Sequence, residues 1–165
     1  MIMFNIRKKI IERAINHTKR EVVFPNLNTI KSVGFVLDGE TDEKVVIWHN
    51  EGKLANVGFI KFVNQKRGTD NSQNIIYRSD LNFWKLPPDR LVHPFIETHY
   101  DLLINLAGIN NDSVTYICAA SRAKFKVCYK PLGKIYDMVI ELDENNKTEL
   151  VKQLKRSLIK LNSKE

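Results

Sequence analysis

Glycine is scarce in this chain, seven in 165 residues, and no two stand close enough to fold a backbone around a pyrophosphate. Neither GxGxxG nor the P-loop spacing occurs, so the two common phosphate cradles, which need glycine where backbone meets phosphate, are excluded. Cysteine is scarcer still. Cys118 and Cys128 are too few for a disulfide framework, and neither CxxC nor a Cys/His cluster offers structural zinc. The four histidines, His17, His49, His93 and His99, are scattered, and Ser121 lacks the GxSxG turn that would expose a nucleophile. No catalytic residue, metal or cofactor is nominated by these patterns. Long apolar runs are missing too, so no membrane span is expected. Arg7, Lys8 and Lys9 break the apolar core that a secretory signal would need, which makes the cytoplasm the default compartment.

Charge is what the chain does have, and it is unevenly placed. The net formal charge is +7, with +4 in residues 1–21 and +4 in residues 147–165. The body between them is close to neutral. Residues 1–21 are expected to form a basic N-terminal helix docked through Phe4, Ile11, Ala14 and Ile15. Residues 146–161 should form a basic C-terminal helix, with Leu150, Val151, Leu154, Leu158 and Leu161 on one face. In "AKFKVCYK", Lys124, Lys126 and Lys130 alternate with apolar residues, so one face of a strand reads as cationic.

Residues 31–143 supply the sheet. The apolar run Val33 to Leu37 in "TIKSVGFVLDG", ended by Asp38-Gly39, and "LANVGFIKFV", "NIIYRSD", "YDLLINL", "AKFKVCYK" and "YDMVIEL" all read as strands, the third either in a hairpin with the second or at an edge. The stretch at 41–52 is ambiguous and leans towards a short helix. Pro87-Pro88 and His93-Pro94 argue against a continuous helix in "LNFWKLPPDRLVHPFIETH", whose aromatic residues are expected to pin the connection to the body. Strands alternating with helices predict a single α/β domain over residues 1–165, a layered sandwich with a mostly parallel, Rossmann-like sheet flanked by helices.

"YDLLINL" and "YDMVIEL" repeat one another, and each is followed by Asn-Asn and a helical stretch. Two buried strands, each leading into a helix that needs capping, would generate the echo as scaffold. Read instead as a ligand site, the rim at the carboxyl ends of the strands would contain Asp38, Asn105, Asn110, Asn111 and Asp112.

The block "YDLLINL…YICAASRAKFKVCY…YDMVIEL", with "KSVGFVLD" and "VGFIKFV" before it, resembles a family of short uncharacterised proteins from Bacteroidetes bacteria. The resemblance implies the fold and a bacterial cytoplasm, and no activity. The strand, polar turn and helix leading into "AKFKV" are also similar to a unit of heptosyltransferase-like glycosyltransferases, which implies a shared α/β unit only. The charge pattern therefore sets the first functional expectation. The terminal helices would pack side by side, and Arg7, Lys8, Arg13, Lys152, Lys155, Arg156 and Lys160 would contact a polyanion such as RNA or the ribosome, or an acidic protein. The second expectation is a phosphate- or sugar-containing ligand at the rim.

Overall fold

A computed structural model describes residues 2–41, 54–107, 111–129, 133–141 and 147–162. The ambiguous stretch at 41–52 lies almost wholly outside these residues, as does Asn110. Six strands make one sheet: β1 (Ser32–Asp38), β2 (Asn56–Val63), β3 (Ile75–Tyr77), β4 (Leu102–Asn105), β5 (Lys126–Cys128) and β6 (Met138–Val139). Their order is β3-β2-β1-β4-β5-β6, and every neighbouring pair is parallel. The expected α/β sandwich is therefore present, and the order is that of the doubly wound nucleotide-binding sheets. β3 is the expected edge strand and not half of a hairpin.

Alternation along the central strands sends side chains to two separate cores. Val36, Ile60, Phe62, Ile76 and Leu103 face one layer, formed by α1 (Ile2–His17), α2 (Asp89–Ile96) and α3 (Asp112–Ala120). Val33, Phe35, Leu37, Leu102, Ile104 and Val127 face the other layer, where α4 (Lys147–Asn162) buries Leu150, Val151, Leu154 and Leu158. Fully burying one such side chain contributes about 1.5–3 kcal/mol. The apolar period of α4 thus reads correctly for these four residues, as do Ile11, Ala14 and Ile15 on α1, while the side chains of Phe4 and Leu161 lie outside the described residues. However, α1 and α4 lie on opposite faces of the sheet, so the terminal helices do not pack side by side.

α2 corrects the reading of the proline-rich connection. Pro88 is its N-cap and Pro94 lies inside it, while Val92, Phe95 and Ile96 are buried on one face. Pro94 sits on the exposed face and forfeits one helical hydrogen bond; burial of the three apolar side chains offsets that loss. Of the aromatics expected to pin the segment, Phe95 does so, whereas Phe83 is 73% exposed.

The repeated Tyr-Asp has a structural explanation. The Asp101 N–H donates to Ser32 O, and its carboxylate accepts from the Lys31 and Ser32 amides at the entrance of β1. The Asp137 N–H donates to Lys126 O, and its carboxylate accepts from the Lys126 amide at the entrance of β5. Each aspartate also holds a cation, Lys124 Nζ at 2.8 Å for Asp101 and a two-pronged Arg20 guanidinium at 2.7 and 2.8 Å for Asp137. The tyrosines are scaffold as well. Tyr100 packs against Gly34 and Gly58, and a Cβ on Gly58 would come within 2.0 Å of its hydroxyl. Tyr136 receives a hydrogen bond from Asn105 Nδ2 at 2.7 Å. The two ribbons nevertheless differ in burial. β4 is buried throughout, whereas β6 is an edge strand with Val139 40% exposed, so only the first is hidden above and below.

β5 does not present a cationic face either. Lys126 is 2% exposed, and its ammonium donates to the carbonyls of Cys118 and Ala119 in the last turn of α3, at 2.6 and 3.3 Å. Desolvation, helped by the Arg20 charge, pulls its pKa down to about 8. Lys126 is a buried cap for the carboxyl end of a helix. Lys124 is committed to Asp101, and Lys130 lies outside the described residues.

Candidate functional site

In a sheet of this order the strand order reverses between β1 and β4, and ligands of such sheets bind outside the carboxyl ends of the strands at that point. A crevice of about 860 Å3 lies at that place. Its walls are the end of β1 (Asp38 to Glu40), the end of β2 (Phe62 to Gln65) and the first turn of α3 (Asn111 to Val114). Arg7 from α1, Arg78 from the turn after β3, and Lys85 reach the same space.

The acids named at this rim are already engaged. Asp38 Oδ1 accepts from the Thr41 hydroxyl at 2.6 Å and the Thr41 amide at 2.9 Å, while Oδ2 accepts from Lys147 Nζ at 2.5 Å. Burial alone would raise the Asp38 pKa, but the Lys147 and Thr41 bonds outweigh it and hold the carboxyl below its ordinary value. Because Lys147 opens α4, this contact ties the carboxyl end of β1 to the helix on the far face. Asp112 pairs with Arg7 Nε at 2.7 Å, joining α1 to α3. Asn111 is the N-cap of α3, accepting from the Ser113 and Val114 amides. That helix end therefore satisfies part of its own donor set. Asn105 does not line the crevice. It is buried, donating to Tyr136 and accepting from the Ala107 amide.

The uncommitted cations are different residues. Arg78 and Lys85 are exposed at the crevice and form no ion pair among the described residues. Lys85 adopts φ 57°, a left-handed conformation that costs a non-glycine residue about 1 kcal/mol. Asn82 maintains it: its side-chain oxygen accepts from the Trp84 and Leu86 amides, and its carbonyl accepts from the Lys85 amide. The Lys85 carbonyl in turn accepts from the Ser113 hydroxyl at 3.3 Å, which fixes this loop against the first turn of α3. Sequence reasoning missed both residues. The signal for Arg78 was a basic residue directly after "NIIY", which points at the rim once that strand is taken as parallel. Nothing in "NFWKLPP" marks Lys85.

A family model described as a family of unknown function, DUF6913, matches residues 5–161. The chain belongs to that family. The DUF6913 match takes in every residue that lines the crevice. No curated protein and no solved structure matches the chain.

The cations expected to bind a polyanion fall in several places on this DUF6913 chain. Arg7 is at the crevice, paired with Asp112, and Lys8 is exposed on α1. Arg13 lines a separate groove of about 400 Å3 between α1 and α3, together with His17, Lys19 and Arg122. On the opposite face, Lys152, Arg156 and Lys160 are exposed on α4, with Arg156 3.5 Å from Glu149. Lys155 is half-buried, and desolvation lowers its pKa.

Proposed function

We propose that this protein binds a small anionic ligand, a phosphate-bearing or sugar-phosphate molecule, in the crevice between the carboxyl ends of β1 and β4. The observation that carries the reading is the arrival of Arg78 and Lys85, both from the connection between β3 and α2, in a hollow at the point where the strand order reverses. Acidic Asp38 and Glu40 flank the end of β1, where a dinucleotide protein would place its glycine-rich turn. The anion is therefore assigned to the Arg78–Lys85 side, and the β1 side to hydroxyl groups that a carboxylate can accept from. Among the described residues of the crevice no pair is set as nucleophile and base, and the reading is therefore one of binding.

Thermal shift with orthophosphate, ribose 5-phosphate and glucose 6-phosphate tests this. A ligand at 100 times its dissociation constant stabilises by about 2.7 kcal/mol. Arg78→Ala and Lys85→Ala should each weaken that ligand by roughly 10- to 100-fold, the worth of one charge-assisted hydrogen bond. Both positions are exposed, so the variants should fold normally. A flat response to all three compounds, or variants that bind as wild type does, would defeat the reading.

A second reading, contact with RNA or another polyanion, has support of its own in the groove where Arg13, His17, Lys19 and Arg122 meet. Arg122 is paired there with Glu97 at 3.1 Å, so Arg13 and Lys19 are the cations left for phosphates, and two such contacts would weaken retention about tenfold between 50 and 200 mM salt. Retention that ignores salt would count against it.

A further inference from the structure

β2 is eight residues long and pairs with β1 along its length, but β3 meets it only at Lys61, Phe62 and Val63. Among the described residues, the outer edge of β2 before Lys61 thus has no strand beside it. The Lys61 N–H donates outward to Asn74 O, and alternation along the strand turns the Phe59 N–H and C=O to the same side. Among the described residues, no backbone group bonds to either of them there. A hollow of about 690 Å3 opens at this stretch. Gly58 and Ile60 form part of its lining, Leu91, Phe95 and Tyr100 supply apolar walls, and the paired Arg67 and Asp80 with Arg90 make a polar side. The absence of a side chain at Gly58 is what seats Tyr100, whose hydroxyl stands over that glycine.

We propose that this hollow is a second ligand site, for a planar heterocycle whose edge carries a hydrogen-bond donor beside an acceptor, as a nucleobase or pterin lactam does. In an extended residue the N–H and C=O point the same way and lie close together, so Phe59 offers a donor and an acceptor to one partner. The apolar side, Leu91, Phe95 and Tyr100, suits the face of a flat ring, and the polar side, Arg90 and Asn71 to Asn74, suits the heteroatoms around its rim. The volume falls within the range of small-molecule pockets. Addition of a peptide strand is the competing use of such an edge. Asn71 to Asn74, the chain entering β3, line the hollow where an added strand would have to run, and this favours a compact ring.

The test is amide chemical-shift mapping of the whole chain, titrated separately with xanthine, pterin, caffeine and a blocked Val-Thr-Val-Thr peptide. Xanthine or pterin should shift the Phe59 and Gly58 amides saturably. Caffeine, with its lactam nitrogens methylated, should bind at least tenfold more weakly. Leu91→Trp, which narrows the hollow, should abolish the shifts. Pro94→Trp should do the same from an exposed position at the lining, where loss of fold is not in play. Three outcomes would overturn the proposal: no response at Phe59 to either lactam, caffeine binding equal to xanthine, or saturable binding of the peptide alone. Orthophosphate is absent from this panel and lactams from the crevice panel, so either site can fail without the other.

Discussion

Two residues carry more than their types suggest. Gly58 is one of seven glycines, and its reason is steric: the Tyr100 hydroxyl occupies the place of a side chain. Gly58→Ala should therefore destabilise by roughly 1–3 kcal/mol, the usual cost of overpacking. Adding Tyr100→Phe should recover part of the loss, because the ring carbon at 2.9 Å would still be crowded. Chemical denaturation of both single variants and the double variant measures the coupling. Lys126 is the other. Its folded pKa of about 8 lies below the ordinary lysine value of 10.5, so folding disfavours its charged form. The resulting penalty is complete below pH 8 and fades as pH rises from 8 towards 10.5, up to roughly 3 kcal/mol. Relative to Lys126→Met, wild type should gain stability over that window. Buried Cys118, whose thiol is pushed up to about 11 by burial, opposes this by favouring unfolding as the medium turns alkaline. Because Lys126 also acts on that thiol, the comparison is made in a Cys118→Ala background. A difference curve that stays flat would mean that Lys126 is solvated in the folded state.

The elements were largely legible, and the failures have causes. α4 and α3 could be read because a 3.6-residue stripe and an asparagine cap are local properties. α2 could not, because the rule against proline in helices is local while the burial of Val92, Phe95 and Ile96 is tertiary. β6 looked like β4 because the same letters serve an edge and a centre; only pairing partners tell them apart. β3 shows how an edge is protected without a helix. Arg67 donates to the outward Ile75 carbonyl at 2.9 Å, and Asp80 accepts from the outward Tyr77 amide at 2.9 Å. The pair closes at 2.7 Å. At the other end of the chain, Lys147 connects α4 to Asp38. Because the folded Asp38 pKa is depressed, this contact contributes stability that is complete above the ordinary aspartate value and is lost as pH falls through the folded pKa. Lys147→Met should flatten the acid side of the stability profile and speed hydrogen exchange in the first turn of α4. An acid limb identical to wild type would show that Thr41 alone holds Asp38 ionised.

On the scale of the molecule, the sequence located the charge and could not locate the surfaces. A count of +4 at each end says nothing about which side of a sheet each end reaches, since that depends on how many crossovers lie between them. The candidate site was legible in the same partial way. Asp38, Asn111 and Asp112 do line the crevice, because strand ends and helix starts can be placed from periodicity, but the cations completing it come from loops whose positions only the fold decides. With the sheet between them, α1 and α4 are separated by two layer spacings of about 10 Å each. That exceeds the screening length of about 8 Å at physiological salt, so the two basic faces act as independent surfaces. It follows that a polyanion held on the α1 face should be insensitive to α4. Arg13→Glu with Lys19→Glu should abolish retention of a short RNA at 0.15 M salt, while Lys152→Glu with Arg156→Glu should change it less than twofold. All four positions are exposed, so folding is preserved in both pairs. Equal loss from the two pairs would require one polyanion to reach around the sheet and touch both helices, in which case the division of charge into separate faces would have no functional meaning.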